Sequence, residues 1–232
     1  MERLTTATFV KIYWWKLLGA LLVLYSILAG LLVKVPLLPI VEESIRNVFF
    51  HVCMWFAMIA VFINALVNSI LYLSKPDIKY DRNAVESVHV GVFFGVLGLI
   101  TGMVWAKATW GAYWVNDPKL NGAAVCMLAY LAYLVLRSAS PNQILKARLS
   151  AVYNIFAFVI LIVFVIILPR IADGSLHPGS GGESPFAVAK MQGHMYAVFF
   201  PAFIGWILMA FWLVDIRVRI NKSNEEMKNE PI

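Results

Sequence analysis

Six stretches of this chain lack Asp, Glu, Lys and Arg for long enough to cross a bilayer, and no other feature restricts the fold so strongly. They run from 17 to 33, 47 to 74, 87 to 106, 120 to 136, 149 to 169 and 191 to 214, with lengths of 17, 28, 20, 17, 21 and 24 residues. A helix needs roughly 20 residues to span about 30 Å of hydrocarbon, so each run is of the right size. None alternates polar and apolar residues as a barrel strand with a wet interior would, which excludes an outer-membrane barrel along with a soluble enzyme. With 61% hydrophobic residues, 14% charged residues and a mean hydropathy of +0.78, residues 1–232 read as a single domain. The predicted class is an all-α integral membrane protein, a bundle of six transmembrane helices.

The net charge of +6 does not point to nucleic acid, because the 19 Lys and Arg residues are scattered rather than gathered on one segment. Their distribution reports orientation instead. Six spans place both termini on one side, together with Arg3, Lys11, Lys16, Lys75, Lys79, Arg82, Arg137, Lys146, Arg148, Arg217, Arg219, Lys222 and Lys228. Lys34, Arg46, Lys107, Lys119, Arg170 and Lys190 fall on the other side, and thirteen against six predicts both termini cytoplasmic. Loops 34 to 46, 106 to 119 and 170 to 190 then face outward. The first span follows a charged N-terminus, but no small-x-small cleavage site comes after it, so it is expected to be retained.

Gly91, Gly95, Gly98 and Gly102, at steps of four, three and four, share one stripe of the third span, where close helix packing is expected. Cys53 and Cys126 stand alone in separate spans without CxxC spacing, which suits buried packing better than redox chemistry or a zinc cage. Asp117 followed by Pro118 matches a helix N-cap and first helical position, and capping alone accounts for that carboxylate. The polar tail, 221 to 232, is expected to be mobile.

The chain has four histidines. His89 lies near the inner end of the third span, opposite the glycine stripe, where a local hydrogen bond suits it better than ligation. His51, in Phe49-Phe50-His51-Val52-Cys53-Met54-Trp55, falls at the outer edge of the hydrocarbon, and Trp55, four residues on, shares its helical face. An interfacial histidine beside a belt tryptophan and a metal ligand are equally good readings of it. His177 stands in a loop, DGSLHPGSGG, whose glycines and proline exclude a regular helix. Such a histidine is solvent-exposed unless a metal bound at the membrane surface recruits it as a lid ligand. His194, at the start of the last span, is a weaker candidate of the same kind.

The most unusual segment is WAKATWGAYWVND, Trp105 to Asp117. Trp105, Trp110, Tyr113 and Trp114 fall within ten positions of one outer loop, with Gly111 giving a turn and Lys107 and Lys119 flanking. Aromatics are ordinary at a bilayer interface. This density, however, builds a platform for a flat apolar ring bearing anionic groups. Haem has that chemistry: its macrocycle stacks on aromatic faces, its propionates pair with lysine or arginine, and its iron takes an imidazole on each face.

On these residues the chain resembles the CcmC-type haem-handling proteins of cytochrome c maturation, over about its whole length. The resemblance is carried by the six spans, by His51 at the head of the second, by the tryptophan-rich segment before the fourth and by His177 before the sixth. The family's WWD motif falls on Trp110, Gly111, Trp114 and Asp117. Tyr113 and Asn116 stand where relatives carry tryptophan; the first keeps an aromatic face and the second removes one. The resemblance implies haem b (iron protoporphyrin IX) held at the outer face of the bacterial cytoplasmic membrane. His51 and His177 would be its axial ligands, with Trp55, Trp110, Gly111, Tyr113, Trp114, Asp117, Lys107 and Lys119 around the ring. It further implies handover to the haem chaperone CcmE, with the ABC-transporter subunits CcmA and CcmB and the small protein CcmD as partners, and delivery rather than catalysis.

Two other classes compete. A cytochrome b-type electron-transfer subunit needs paired histidines buried within helices, whereas three of these histidines lie outside and one lies in an inner half-span. A small-solute transporter is weakened by the absence of charged residues in the middle of any span, although a neutral substrate would need none. Should His51 or His177 not ligate, His194, Met54 or Met103 is next in line.

Overall fold

The computed structural model describes residues 6–36, 41–172, 175–177, 191 and 193–229. Most of the glycine-rich loop 170 to 190 and the end of the tail lie outside the described residues. The chain forms α1 (Thr6–Leu32), a 3-10 helix (Glu42–Phe49), α2 (His51–Ser74), α3 (Ile78–Trp110), α4 (Pro118–Ala139), α5 (Gln143–Leu161), a π-helical segment (Ile162–Ile167), α6 (Leu168–Ile171) and α7 (Gly193–Asn229). The π segment joins α5 and α6 into one span, so six helical spans are long and apolar enough to cross a membrane, as the charge pattern predicts. The helices outrun the charge-free stretches because a helix does not stop where hydrocarbon does: α3 takes in Lys79 to Glu86 at one end and Lys107 to Trp110 at the other.

Local chemistry sets the tight turns. Asp77, Asp117 and Asn142 cap α3, α4 and α5, each accepting a backbone N–H from the first turn beyond it. Gly111 ends α3 at φ 80°, a left-handed conformation that costs a glycine little.

The central pair is α2 and α3, and the glycine stripe is what lets them meet. A β-carbon at Gly91 would collide with the Phe62 ring, and one at Gly98 would stand 2.9 Å from Trp55 Nε1. Close packing is thus the use of this stripe, as expected. Phe62 in turn stacks on Tyr130 of α4 with centroids 3.6 Å apart, a contact worth about 1 kcal/mol beyond its buried area. Cys53 and Cys126 are both buried and unpaired. Among the described residues the first span has Cα neighbours within 8 Å only in α7 and the 3-10 helix. There, β-carbons at Gly19 and Gly205 would each come within 2.9 Å of a leucine Cβ on the facing helix.

Charges gather at the end of the bundle away from the aromatic segment. Arg137 grips Asp81 with two bonds of 2.8 and 2.7 Å, Arg217 bonds Glu86 at 2.6 Å, and Lys16 pairs with Asp215. Buried pairs of this kind cost most when one partner is removed. The same chemistry reaches into the polar tail: α7 continues to Asn229, with Arg82 paired to Glu225 and Asn221 donating to Glu86 at 3.1 Å. His89 is half-buried there and has no hydrogen bond among the described residues, against the expectation for it.

Two further departures shape the other end. The segment expected as an open loop from 34 to 46 instead ends in the 3-10 helix, which buries Ile45, Val48 and Phe49. Its Arg46 donates to the carbonyls of Gly30 and Val33, satisfying the exposed end of α1. In the fifth span the helix widens to a π turn, where the Leu168 N–H bonds Val163 O, five residues back. Pro169 lacks the N–H that would serve Phe164 next in that register, and the Phe164 carbonyl lies against Gly122 of α4, where any β-carbon would strike it.

Candidate functional site

Between α2 and α3 on one side and α4 and the π segment on the other lies a cavity of about 450 Å³, mostly apolar in lining. It falls in the ordinary range for small-molecule sites. His51, Trp55, Trp110, Trp114, Lys119 and His177 all line it.

His51 occupies the first turn of α2, held against α3 by the glycine stripe. Its Nδ1 lies 3.0 Å from Gly98 O and 3.1 Å from Thr101 Oγ1. A carbonyl oxygen can only accept, so Nδ1 carries the proton and Nε2 keeps its lone pair. Gly102 leaves room for the ring, since a β-carbon there would sit 2.7 Å from His51 Cε1. Trp55 and Trp105 flank it edge-on, at centroid distances of 6.3 and 5.8 Å. Trp105 is itself fixed by donating its Nε1–H to Ser44 of the 3-10 helix at 3.0 Å.

His177 reaches the cavity from the loop after α6, and Asp117 explains how. This carboxylate is 1% exposed and caps α4 by accepting from Lys119 N at 2.8 Å and Leu120 N at 3.3 Å. It also accepts from Ser175 Oγ at 2.9 Å and Leu176 N at 2.8 Å, and lies 3.0 Å from His177 Nδ1. Burial raises the Asp117 carboxyl, but the Leu176 N–H, the His177 ring and the Lys119 N–H outweigh it and hold the group below the usual carboxylate range. Burial lowers His177 to about 4 in spite of the opposing pull of Asp117, so the imidazole is neutral at pH 7. Its Nδ1–H donates to the carboxylate and Nε2 again keeps its lone pair. Trp110 packs edge-on against this ring at 4.8 Å.

Other residues named from the sequence lie elsewhere. Gly111, Tyr113, Lys107 and Asp117 do not line the cavity. Lys107 Nζ donates to Gly111 O at 2.7 Å and stands 5.7 Å from the centroid of Tyr113, which is 56% exposed. Asn116 accepts from Asn121 at 2.8 Å, and Asn121 accepts from Trp114 Nε1 at 3.3 Å, so the substitution stiffens the loop instead of stacking. His194 bonds Lys34 O at 2.6 Å and does not line the cavity. Met103 does line it, as does Trp105 of the aromatic segment, and so do Gly98, Gly102 and Arg170, which the sequence reading left out of the site. Arg170 follows Pro169 in α6, and only the tertiary fold brings it near Lys119. Among the described residues no cluster of three or more His, Cys, Asp or Glu exists to hold a bare metal ion.

The residues present suit a flat, partly anionic metallo-ring: two neutral imidazoles with free Nε2 lone pairs, four tryptophans beside them, and Lys119 and Arg170 as cations on one apolar cavity. Comparison with known proteins agrees. The chain is similar to heme exporter protein C of Paracoccus denitrificans, 27% identical over 180 residues that cover 76% of this chain and 72% of that one. It is also similar to heme exporter protein C of Haemophilus influenzae, 28% identical over 60% of this chain and 55% of that one. With the cytochrome c biogenesis protein CcsA of Prochlorococcus marinus it shares 34% identity over 45% of this chain and 34% of that one. A family model described as heme exporter protein C matches residues 2–231, and the chain belongs to that CcmC family.

Proposed function

We propose that this multi-pass membrane protein binds haem b in the cavity at the outer face of the bacterial cytoplasmic membrane and passes it to the haem chaperone CcmE. CcmA, CcmB and CcmD are its partners in this reading, and both termini are cytoplasmic. The names of its relatives support a role in cytochrome c maturation, by transport or delivery rather than catalysis. One observation carries the finer reading: two imidazoles on one cavity, each with Nδ1–H bound by an acceptor and Nε2 left as the coordinating nitrogen.

The two histidines are mounted differently. His51 is built into a rigid helix and fixes one ligand position. His177 rides on a loop latched by a single carboxylate, so the second position can open without disturbing the bundle. Trp55, Trp110 and Trp114 supply stacking area, and Lys119 and Arg170 offer cations to propionates. Both imidazoles lie at one end of the bundle, which favours holding and handing on over electron transfer through the bilayer.

An absorption spectrum of the purified protein tests this. His51→Ala and His177→Ala are each expected to shift the Soret band and impair transfer, with exogenous imidazole partly restoring the band. Parent-like spectra in both variants would sink the ligand assignment.

A further inference from the structure

The fifth span parts from α2 halfway across the bundle. Its first part, α5, packs on both α2 and α4. From the π segment onward, Ile162–Ile171 stays against α4, yet among the described residues no Cα of this stretch lies within 8 Å of one in α2 or α7. The cause is local: the wide π turn, Pro169 without its N–H, and Gly122 admitting the Phe164 carbonyl together draw the span toward α4.

Among the described residues, the gap this leaves is one side of the cavity. Val52, Phe56 and Ile59, at helical spacing, form the α2 edge, and Val165, Ile166 and Pro169 form the other; all six are apolar, and all but Pro169 are partly exposed. A side opening rimmed by apolar residues within two spans faces lipid tails rather than water. At its end toward the membrane surface stands Arg170, exposed and also on the cavity. Elsewhere on the cavity Trp110 packs edge-on against His177, which is latched to Asp117.

We infer that this gap is a lateral portal by which an amphiphilic tetrapyrrole dissolved in the adjoining leaflet enters the cavity ring first, with its carboxylates trailing along Arg170. The inference rests on the haem-binding reading and adds the route. An apolar ring then never has to cross the aqueous face, and the His177 latch need open only for release. Arg170 suits the trailing end because its long stem can lie on apolar surface while its head stays at the interface.

The test is the rate of Soret growth when the full-length protein, reconstituted in vesicles, meets haemin already dissolved in the bilayer. Ile166→Trp is expected to lower the rate constant of Soret growth, measured toward each variant's own final amplitude, about tenfold, roughly 1.4 kcal/mol on the barrier. Ile166→Ala is expected to speed it, and decides the matter alone if the tryptophan variant does not insert. Parent rates in both variants overturn the portal and leave the gap a lipid-filled groove. A parent that gains no Soret band overturns the haem reading beneath the proposal, a result distinct from unchanged variant rates.

Discussion

Asp117 holds two structures at once, and substitutions can separate them. As a cap it binds two N–H groups of α4; as a latch it binds Ser175, Leu176 and His177. The cap is worth about 1 kcal/mol. Bonds to a charged acceptor are worth about 1.5–3 kcal/mol each, but three sharing one carboxylate do not add, and roughly 3 kcal/mol for the latch is the working figure. Serine is a good cap, yet its short neutral side chain does not reach the loop. Asp117→Ser should therefore melt near the parent while its haemin affinity falls about a hundredfold, the equivalent of roughly 3 kcal/mol. Asp117→Ala should show the same affinity loss and about 1 kcal/mol less stability besides. Haemin titration by Soret absorbance and thermal melting in detergent read the two quantities separately. Parent-like affinity in Asp117→Ser would refute the latch and return Asp117 to a simple cap.

Gly102→Ala should displace the His51 ring, because the added carbon would lie 2.7 Å from Cε1; a parent-like haem spectrum would show that the ring does not depend on that space. His177 titrates at about 4 in the fold against 6.5 in an open chain, a lowered value, so the latch is fully stabilising above about 6.5 and is lost as pH falls toward 4. Haem retention should accordingly be flat from neutral pH to about 6.5 and decline below it, and a decline that begins above neutral pH would contradict the assignment. For orientation, a cysteine at Tyr113, which is 56% exposed, should react with an impermeant maleimide in intact spheroplasts, and one at Ile144, which is 76% exposed, should not. The buried Cys53 and Cys126 should stay silent, and the reverse labelling would invert the topology.

The six spans were legible because the cost of carrying charge through hydrocarbon is written directly into where charges are missing. The π turn was not, because it depends on Gly122, about 40 positions from Phe164 in sequence but against it in space. In the site, Trp55, Trp110, Trp114 and Lys119 were named from type and position, His51 and His177 as ligands only through the resemblance, and all six line the cavity. Tyr113 and Lys107 share the same segment and do not, since Gly111 turns the chain and sends Tyr113 outward. Aromatic density marks a platform without saying which rings face it. Arg170 carried no signal separable from ordinary interfacial residues, and Asp117, read from its own neighbours as a cap, entered the site only through the resemblance, because its loop partners lie about 60 positions away.

The pairing of α1 with α7 has a consequence for how the protein is made. Among the described residues no Cα of α1 lies within 8 Å of one in α2 through α6, and its main partner, α7, is translated after all of those helices. Until then α1 must wait in lipid, with Lys16 near the hydrocarbon and its partner Asp215 not yet translated. Docking of α1 is therefore gated at α7: the pair cannot close, nor Lys16 meet Asp215, before α7 arrives. A chain interrupted ahead of α7 would expose an unmatched charge and a bare helix face, the two features by which an unfinished membrane protein differs most from a finished one.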